Sequence, residues 1–425
     1  MLVMGLDTDY QQALEFVEQV NFAKAIGSSK GFETNIRYLG GLLAAHDLRP
    51  NHMLVKKAVE LAELTLVPLF ADSMTPLGDK VKVPYTYMDV NNKTAEETDT
   101  INLAEFGSYT MEFTRLSQVT GNPKYKTLAD NLTKAAIRQP TRIPGLFPTS
   151  WNFKPFSPQS DSYITMGGGG DSFYEYLIKN YILDNKQDPA LLEMWEKSVK
   201  SIQEHMLVAT AQDPNIEFVA GIAKDKVYYS SQELICFWPG NILLGITQTS
   251  LENKRQFRQF ADTFLTSCIE TWKKSKTGIA PESWKFTPKD DRLQLKLDKL
   301  FQSNKSKRDI ASFQVENSIY DLRPETIESI FYYYRLTGDK KYKDLAWELY
   351  MSIHRYARAK AGYSRINDVN RMPATLQDFQ ESFFFAETLK YLYLIFVDKD
   401  CISLNDFVFN TEAHPFKLSK PIQYQ

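Results

Sequence analysis

Apolar positions recur every three to four residues over most of the chain, which predicts amphipathic helices. They come as pairs: an aromatic-rich apolar segment, a polar turn, then a more charged segment with one apolar face. One turn is repeated almost verbatim. Thr120-Gly121-Asn122-Pro123-Lys124-Tyr125-Lys126-Thr127-Leu128-Ala129 matches Thr337-Gly338-Asp339-Lys340-Lys341-Tyr342-Lys343-Asp344-Leu345-Ala346, with Gly where a helix C-cap needs positive φ. The first helix of each pair opens near an acid, at Glu33, Glu105, Asp171, Glu325 and Glu381. These acids are too far apart in sequence for the short helix pairs of a solenoid, so a closed toroid with apolar inner and amphipathic outer helices is the expected architecture. Pro140 to Pro158 and Gly167 to Gly170 read as extended loop, and Glu217 to Ser230, alternating around Gly221, as a small β-hairpin.

Composition narrows the functional classes. A chain of 425 residues that is 43% hydrophobic and 13% aromatic can build a large core, and a net charge of −2 argues against nucleic acid as the main partner. The most apolar helix candidate, Ser382 to Phe396, is broken by Glu387 and Lys390 and falls short of the roughly 20 residues that span a bilayer. The amino end lacks the basic and apolar regions of a signal peptide. Three cysteines, Cys236, Cys268 and Cys401, are too few and too dispersed for a zinc ribbon. Sequons at Asn92, Asn131 and Asn304 permit a secretory-pathway location.

The chemistry lies in acids placed among aromatics. Glu381 and Glu387 fall on the helix expected over Glu381 to Phe396, Glu325 and Glu328 are three apart, and Asp171 and Glu175 are four apart, so each pair is expected to share a helix face. Carboxylates gathered at one mouth need protons or a cation to neutralise them, and with His and Cys scarce a hard, oxygen-preferring ion such as Ca²⁺ suits them best. The five histidines, His46, His52, His205, His354 and His414, have no zinc-site spacing, and no nucleophile elbow, Walker loop or dinucleotide fingerprint is present. Paired acids in an aromatic funnel suit acetal hydrolysis, one carboxylic acid protonating the leaving oxygen and one carboxylate activating water.

Five motifs resemble the class I α-1,2-mannosidases of glycoside hydrolase family 47. They run from Phe32-Glu33-Thr34-Asn35-Ile36-Arg37 through Asp171-Ser172-Phe173-Tyr174-Glu175, Leu322-Arg323-Pro324-Glu325-Thr326-Ile327-Glu328 and Glu381-Ser382-Phe383-Phe384-Phe385-Ala386-Glu387 to Asn410-Thr411-Glu412-Ala413-His414-Pro415. The resemblance implies a single all-α (α/α)7 barrel domain over 1–425 with small β-hairpin insertions, a bound Ca²⁺, and removal of terminal α-1,2-linked mannose from high-mannose N-glycans with inversion. Position by position, Glu33 matches the general acid, Glu325 the general base, Asp171 the third catalytic carboxylate, and Thr411 the direct Ca²⁺ ligand. Glu105, Glu112, Glu175, Glu328, Glu387 and Glu412 would hold ion-bound waters or sugar hydroxyls. Phe383 would stack under the sugar, Arg37 and Arg323 would counter negative charge, and Pro324 would bind substrate. The family also implies a Cys236–Cys268 disulfide with Cys401 free and a secretory-pathway or secreted location; a monomer is the expectation for the chain itself.

The chain departs from the family pattern in three places. Glu233 stands where many members have His, and Gly169 where endoplasmic-reticulum members carry a branch-restricting Arg, which implies tolerance for several mannose branches. The family pattern also extends upstream of Met1, so the first helical pair is expected to be incomplete. The competing expectation is a glycan-binding quality-control module with little or no turnover.

Overall fold

The structure is a computed structural model that describes residues 1–301 and 314–420. The sequon at Asn304 lies outside the described residues. The chain forms two compact units, one made of Met1–Ser160, Ser172–Trp195 and the segment from Asp400, the other of Asp161–Asp171 and Glu196–Lys399.

In the first unit, helices Gly40–Leu48 and His52–Leu61 form one antiparallel pair, and Thr110–Thr120 and Lys124–Ile137 another. Asn51 starts the second helix of the first pair by accepting the Met53 amide at 2.9 Å, which satisfies one of the donors a helix start leaves open. Thr110–Thr120 is buried around Met111, Phe113 and Leu116, whereas Lys124–Ile137 buries the stripe Tyr125, Ala129, Leu132 and Ala136. This is the apolar-inner, amphipathic-outer division expected from the periodicity. The hairpin of Phe70–Met74 with Lys80–Pro84 alternates buried and exposed positions, as a strand with one covered face does.

The second unit repeats the scheme with Trp238–Gln248 against Lys254–Lys274 and Glu325–Thr337 against Lys341–Tyr356. Gly240 permits the close contact of two inner helices, since a Cβ there would stand 2.9 Å from the Ser329 Cα. Cys236 and Cys268 form the implied disulfide, and Cys401 is a free thiol.

The repeated turn is the same structure twice. Gly121 and Gly338 both take φ 71° and ψ 5°, Thr120 and Thr337 bond back to Leu116 and Tyr333, and Asn122 and Asp339 cap the amides of Lys124 and Lys341.

Two expectations are corrected. The hairpin exists, but it turns at Lys224 and Asp225, pairing Gly221–Ala223 with Lys226–Tyr228, while Glu217–Val219 pairs instead with Leu207–Ala209. Lys224 supplies the positive φ (55°) that the turn requires. Glu381 stands before its helix and faces Arg365 at 3.5 Å; the helix proper runs over Phe384–Thr388 and Leu389–Phe396, so Glu381 and Glu387 do not share a helix face. The loop arginine competes for the acid that periodicity placed on the helix.

Candidate active site

In the first unit the expected acids are held by basic partners. Glu33 closes the short Gly31–Glu33 helix, and the chain then widens into a π-helical turn over Thr34–Leu39, a local form common at functional sites. Arg37, one turn on, binds Glu33 at 2.7 Å through Nε and Glu412 at 3.0 Å through Nη1. Glu33 keeps 38% of its side chain exposed while Glu412 keeps 5%, so one arginine holds a reachable acid and an enclosed one. Glu105 pairs with Lys30 at 2.6 Å and accepts from Thr86. Glu175, on the Asp171–Leu183 helix, is buried against the equally buried Lys179 at 2.5 Å.

Behind these lies a hydrogen-bonded relay. The Thr411 amide donates to the Tyr176 hydroxyl at 3.3 Å, and that hydroxyl donates to Glu112 Oε1 at 2.8 Å. Asn410 and Asn35 donate to the same carboxyl at 2.7 and 3.0 Å. Glu112 is fully enclosed, and burial pushes its carboxyl up to about 7 against the pull of these donors. It is thus placed as the hub that fixes the Asn410-Thr411-Glu412 turn, with its oxygens spent on protein donors. Asn410 Oδ1 completes that turn by accepting the amides of Glu412 and His414.

In the second unit, Asp171 follows the Gly167–Gly170 turn, its amide donating to the Gly167 carbonyl, and opens its helix as expected. Glu325 opens Glu325–Thr337 and Glu328 lies one turn on, both buried. Arg323 sits with its guanidinium 5.3 Å from the centre of the Phe383 ring, grips Glu282 with Nε and Nη2 at 2.6–3.1 Å, and turns Nη1 to Glu325 Oε1 at 3.9 Å. Glu325 Oε2 is buried with no hydrogen-bond partner. Burial drives this carboxyl well above its ordinary range, Arg323 opposes that, and Glu233 and Glu282 add to it. Glu387 is buried within the π-helical Phe384–Thr388 turn.

Several contributors were not legible beforehand. Glu282 lies in no motif, and its role comes only from meeting Arg323 across 41 positions. Lys30 and Lys179 likewise enter through their partners, whereas Tyr176 follows Glu175 within its aromatic motif and only its bond to Glu112 was not readable. Asn35 and Asn410 fall inside the quoted motifs, each two positions from a glutamate, which was the available signal. Among the described residues no group of three or more His, Cys, Asp or Glu is placed to hold a metal directly.

The model of glycosyl hydrolase family 47 matches residues 1–418. Mannosyl-oligosaccharide 1,2-alpha-mannosidase MNS1 of Arabidopsis thaliana is 34% identical over 98% of this chain and 70% of its own length. Mannosyl-oligosaccharide 1,2-alpha-mannosidase IC of Homo sapiens is 33% identical over 99% of this chain and 62% of its own. The solved alpha-1,2-mannosidase of Trichoderma reesei superposes with a TM-score of 0.86 at 33% identity, covering 98% of this chain and 88% of that one, which bears out the (α/α)7 fold class. On sequence and fold together, the chain belongs to glycosyl hydrolase family 47.

Proposed function

We propose that this protein is a Ca²⁺-dependent, inverting 1,2-α-mannosidase that releases terminal α-1,2-linked mannose from high-mannose N-glycans. The observation that carries the reading is Glu325: a buried carboxyl with one oxygen facing Arg323 and the other with no hydrogen-bond partner, an acceptor with capacity to spare for a water. A water there would be deprotonated as it attacks the anomeric carbon. Glu33, reachable from solvent and held in place by Arg37, would take the role of the acid at the leaving oxygen, and Asp171 that of the third carboxylate. Phe383, buried beneath the Arg323 guanidinium, supplies an apolar face for a sugar ring, and Pro324 sets the chain entry to Glu325. The names of the relatives, all mannosyl-oligosaccharide 1,2-α-mannosidases, support the same reaction.

The donor chemistry fits calcium. Thr411 offers a hydroxyl and a carbonyl oxygen, hard donors of the kind Ca²⁺ prefers. When bound, Ca²⁺ would orient the sugar's vicinal hydroxyls and polarise water. Glu105, Glu175, Glu328, Glu387 and Glu412 would accept from those waters and hydroxyls, and Glu112 would act through Tyr176 on the Thr411 turn. A buried disulfide and the exposed sequon asparagines Asn92 and Asn131 suit an oxidising secretory lumen or secretion. No helix among the described residues is long and apolar enough to cross a membrane.

The test is incubation with a defined high-mannose N-glycan with and without EDTA, following the anomer of the released sugar by NMR. Release of β-mannose that EDTA abolishes and Ca²⁺ restores is expected. Retention of the glycan without release would point to the binding-module reading, and α-mannose would rule out inversion.

A further inference from the structure

We propose that Glu233 is a positioning residue for Glu325: a neutral carboxylic acid whose Oε2 hydroxyl donates a hydrogen bond to the Glu325 carboxylate, directly or through one water, and thereby keeps that carboxylate ionised as a base. The inference rests on reading Glu325 as the base.

Glu233 is 0% exposed and opens the short Glu233–Phe237 helix. Its Oε1 accepts from Thr326 Oγ1 at 2.6 Å and from the Trp272 indole at 3.3 Å. An indole N–H only donates, so Oε1 acts as an acceptor there, and a proton on Oε2 leaves both of the Oε1 bonds in place. That Oε2 is buried and has no hydrogen-bond partner, and Glu325 Oε2 is in the same state. Thr326 is the residue next to Glu325, so the bond that pins Glu233 also ties it to the start of the Glu325 helix.

Two enclosed carboxyls that feel each other's charge do not both ionise at modest cost. The surrounding charges decide which one stays neutral. Around the pair are Arg323, Glu282 and the Tyr320 hydroxyl, with Asp321 acting on Tyr320 and Arg323. Arg323 is the cation among them, and it reaches Glu325 Oε1, so negative charge belongs on Glu325. Glu233 has the acid Glu282 as its charged neighbour, and burial pushes its carboxyl up to about 8 against the pull of the Thr326 and Trp272 donors. Burial also drives Glu325 toward its protonated, inactive form, and a neutral hydroxyl donor offsets that without adding charge.

The experiment compares pH profiles of kcat/KM for mannose release by wild type, Glu233→Gln and Glu233→Met. Gln keeps an acceptor for Thr326 and Trp272 and places a permanent N–H donor where Oε2 stands, whereas Met removes the donor. The expected result is an acidic limb unchanged in Glu233→Gln and raised by about one pH unit or more in Glu233→Met. An acidic limb that falls by a unit in Glu233→Gln would mean that Glu233 is ionised and repels the base. An unmoved limb in a folded Glu233→Met would reduce it to a structural anchor; either result overturns the proposal. Should Glu233→Met not fold, infrared spectroscopy of the wild type at neutral pH must show a protonated-carboxyl band that Glu233→Gln lacks, and absence of that band is equally fatal. Glu325→Gln is measured alongside. If it retained wild-type turnover, the base assignment would fail while the infrared result on Glu233 still stood.

Discussion

The Asn410 side-chain amide donates to Glu112 Oε1 at 2.7 Å, joining residues 298 positions apart, and neither atom is exposed to solvent. Asn410 also donates to the Ile36 carbonyl at 3.1 Å and accepts two amides of its own turn. Replacing Asn410 by Ala leaves an enclosed carboxyl and several backbone groups short of partners. The expected loss is about 2–4 kcal/mol, read as a lower melting temperature. A shift of less than a degree would mean that the turn is held by other contacts.

Glu33→Gln and Glu325→Gln should each lower turnover by about two orders of magnitude or more. Their effects on stability should differ. Glu33 is exposed, so its amide variant should melt near the wild type, whereas Glu325→Gln removes a carboxyl whose burial opposes ionisation and should melt at or above it. Near-normal rates in both variants of an active enzyme would refute the assignment of roles.

Removal of calcium by EDTA should lower the melting temperature, because an ion that binds only the folded chain stabilises it by mass action. Thr411→Ala should weaken the response to added Ca²⁺. Identical melting curves with and without the ion would remove the metal site from the account.

Stability should fall as pH rises from about 5 to 8. Burial raises the folded-state values of Glu112 to about 7 and Glu233 to about 8, above the ordinary 4.5. The folded chain therefore binds more protons than the unfolded one across this window. The stabilisation is complete below the ordinary value and is lost as pH climbs through the folded ones. Glu233→Gln should remove up to about 1.4 kcal/mol per pH unit of this slope, measured by denaturation in EDTA so that ion binding adds no pH dependence of its own. A slope of opposite sign would contradict the burial argument.

Replacing Cys236 and Cys268 by Ala should cost about 3–4 kcal/mol, because the bridge closes a loop with a sequence separation of 32 that the unfolded chain otherwise explores. Chemical denaturation of the double variant checks this. A cost below about 1 kcal/mol would mean that packing of the outer helix, not the crosslink, holds this region.

What the sequence determined by itself was local and periodic. Paired helices followed from the spacing of apolar residues, and both Gly121 and Gly338 were readable as left-handed caps because glycine carries no side chain to oppose positive φ. Glu325 and Asp171 at helix starts were legible for the same reason, since acids favour that end of the helix dipole. The tertiary structure decided which acid has which partner. Glu381 left its expected helix for Arg365, Glu112 became an enclosed hub, and Glu282 joined Arg323 from a segment without a motif. Ion pairs and shared protons depend on a few ångströms between residues far apart in the chain, and one-dimensional periodicity carries no record of those distances.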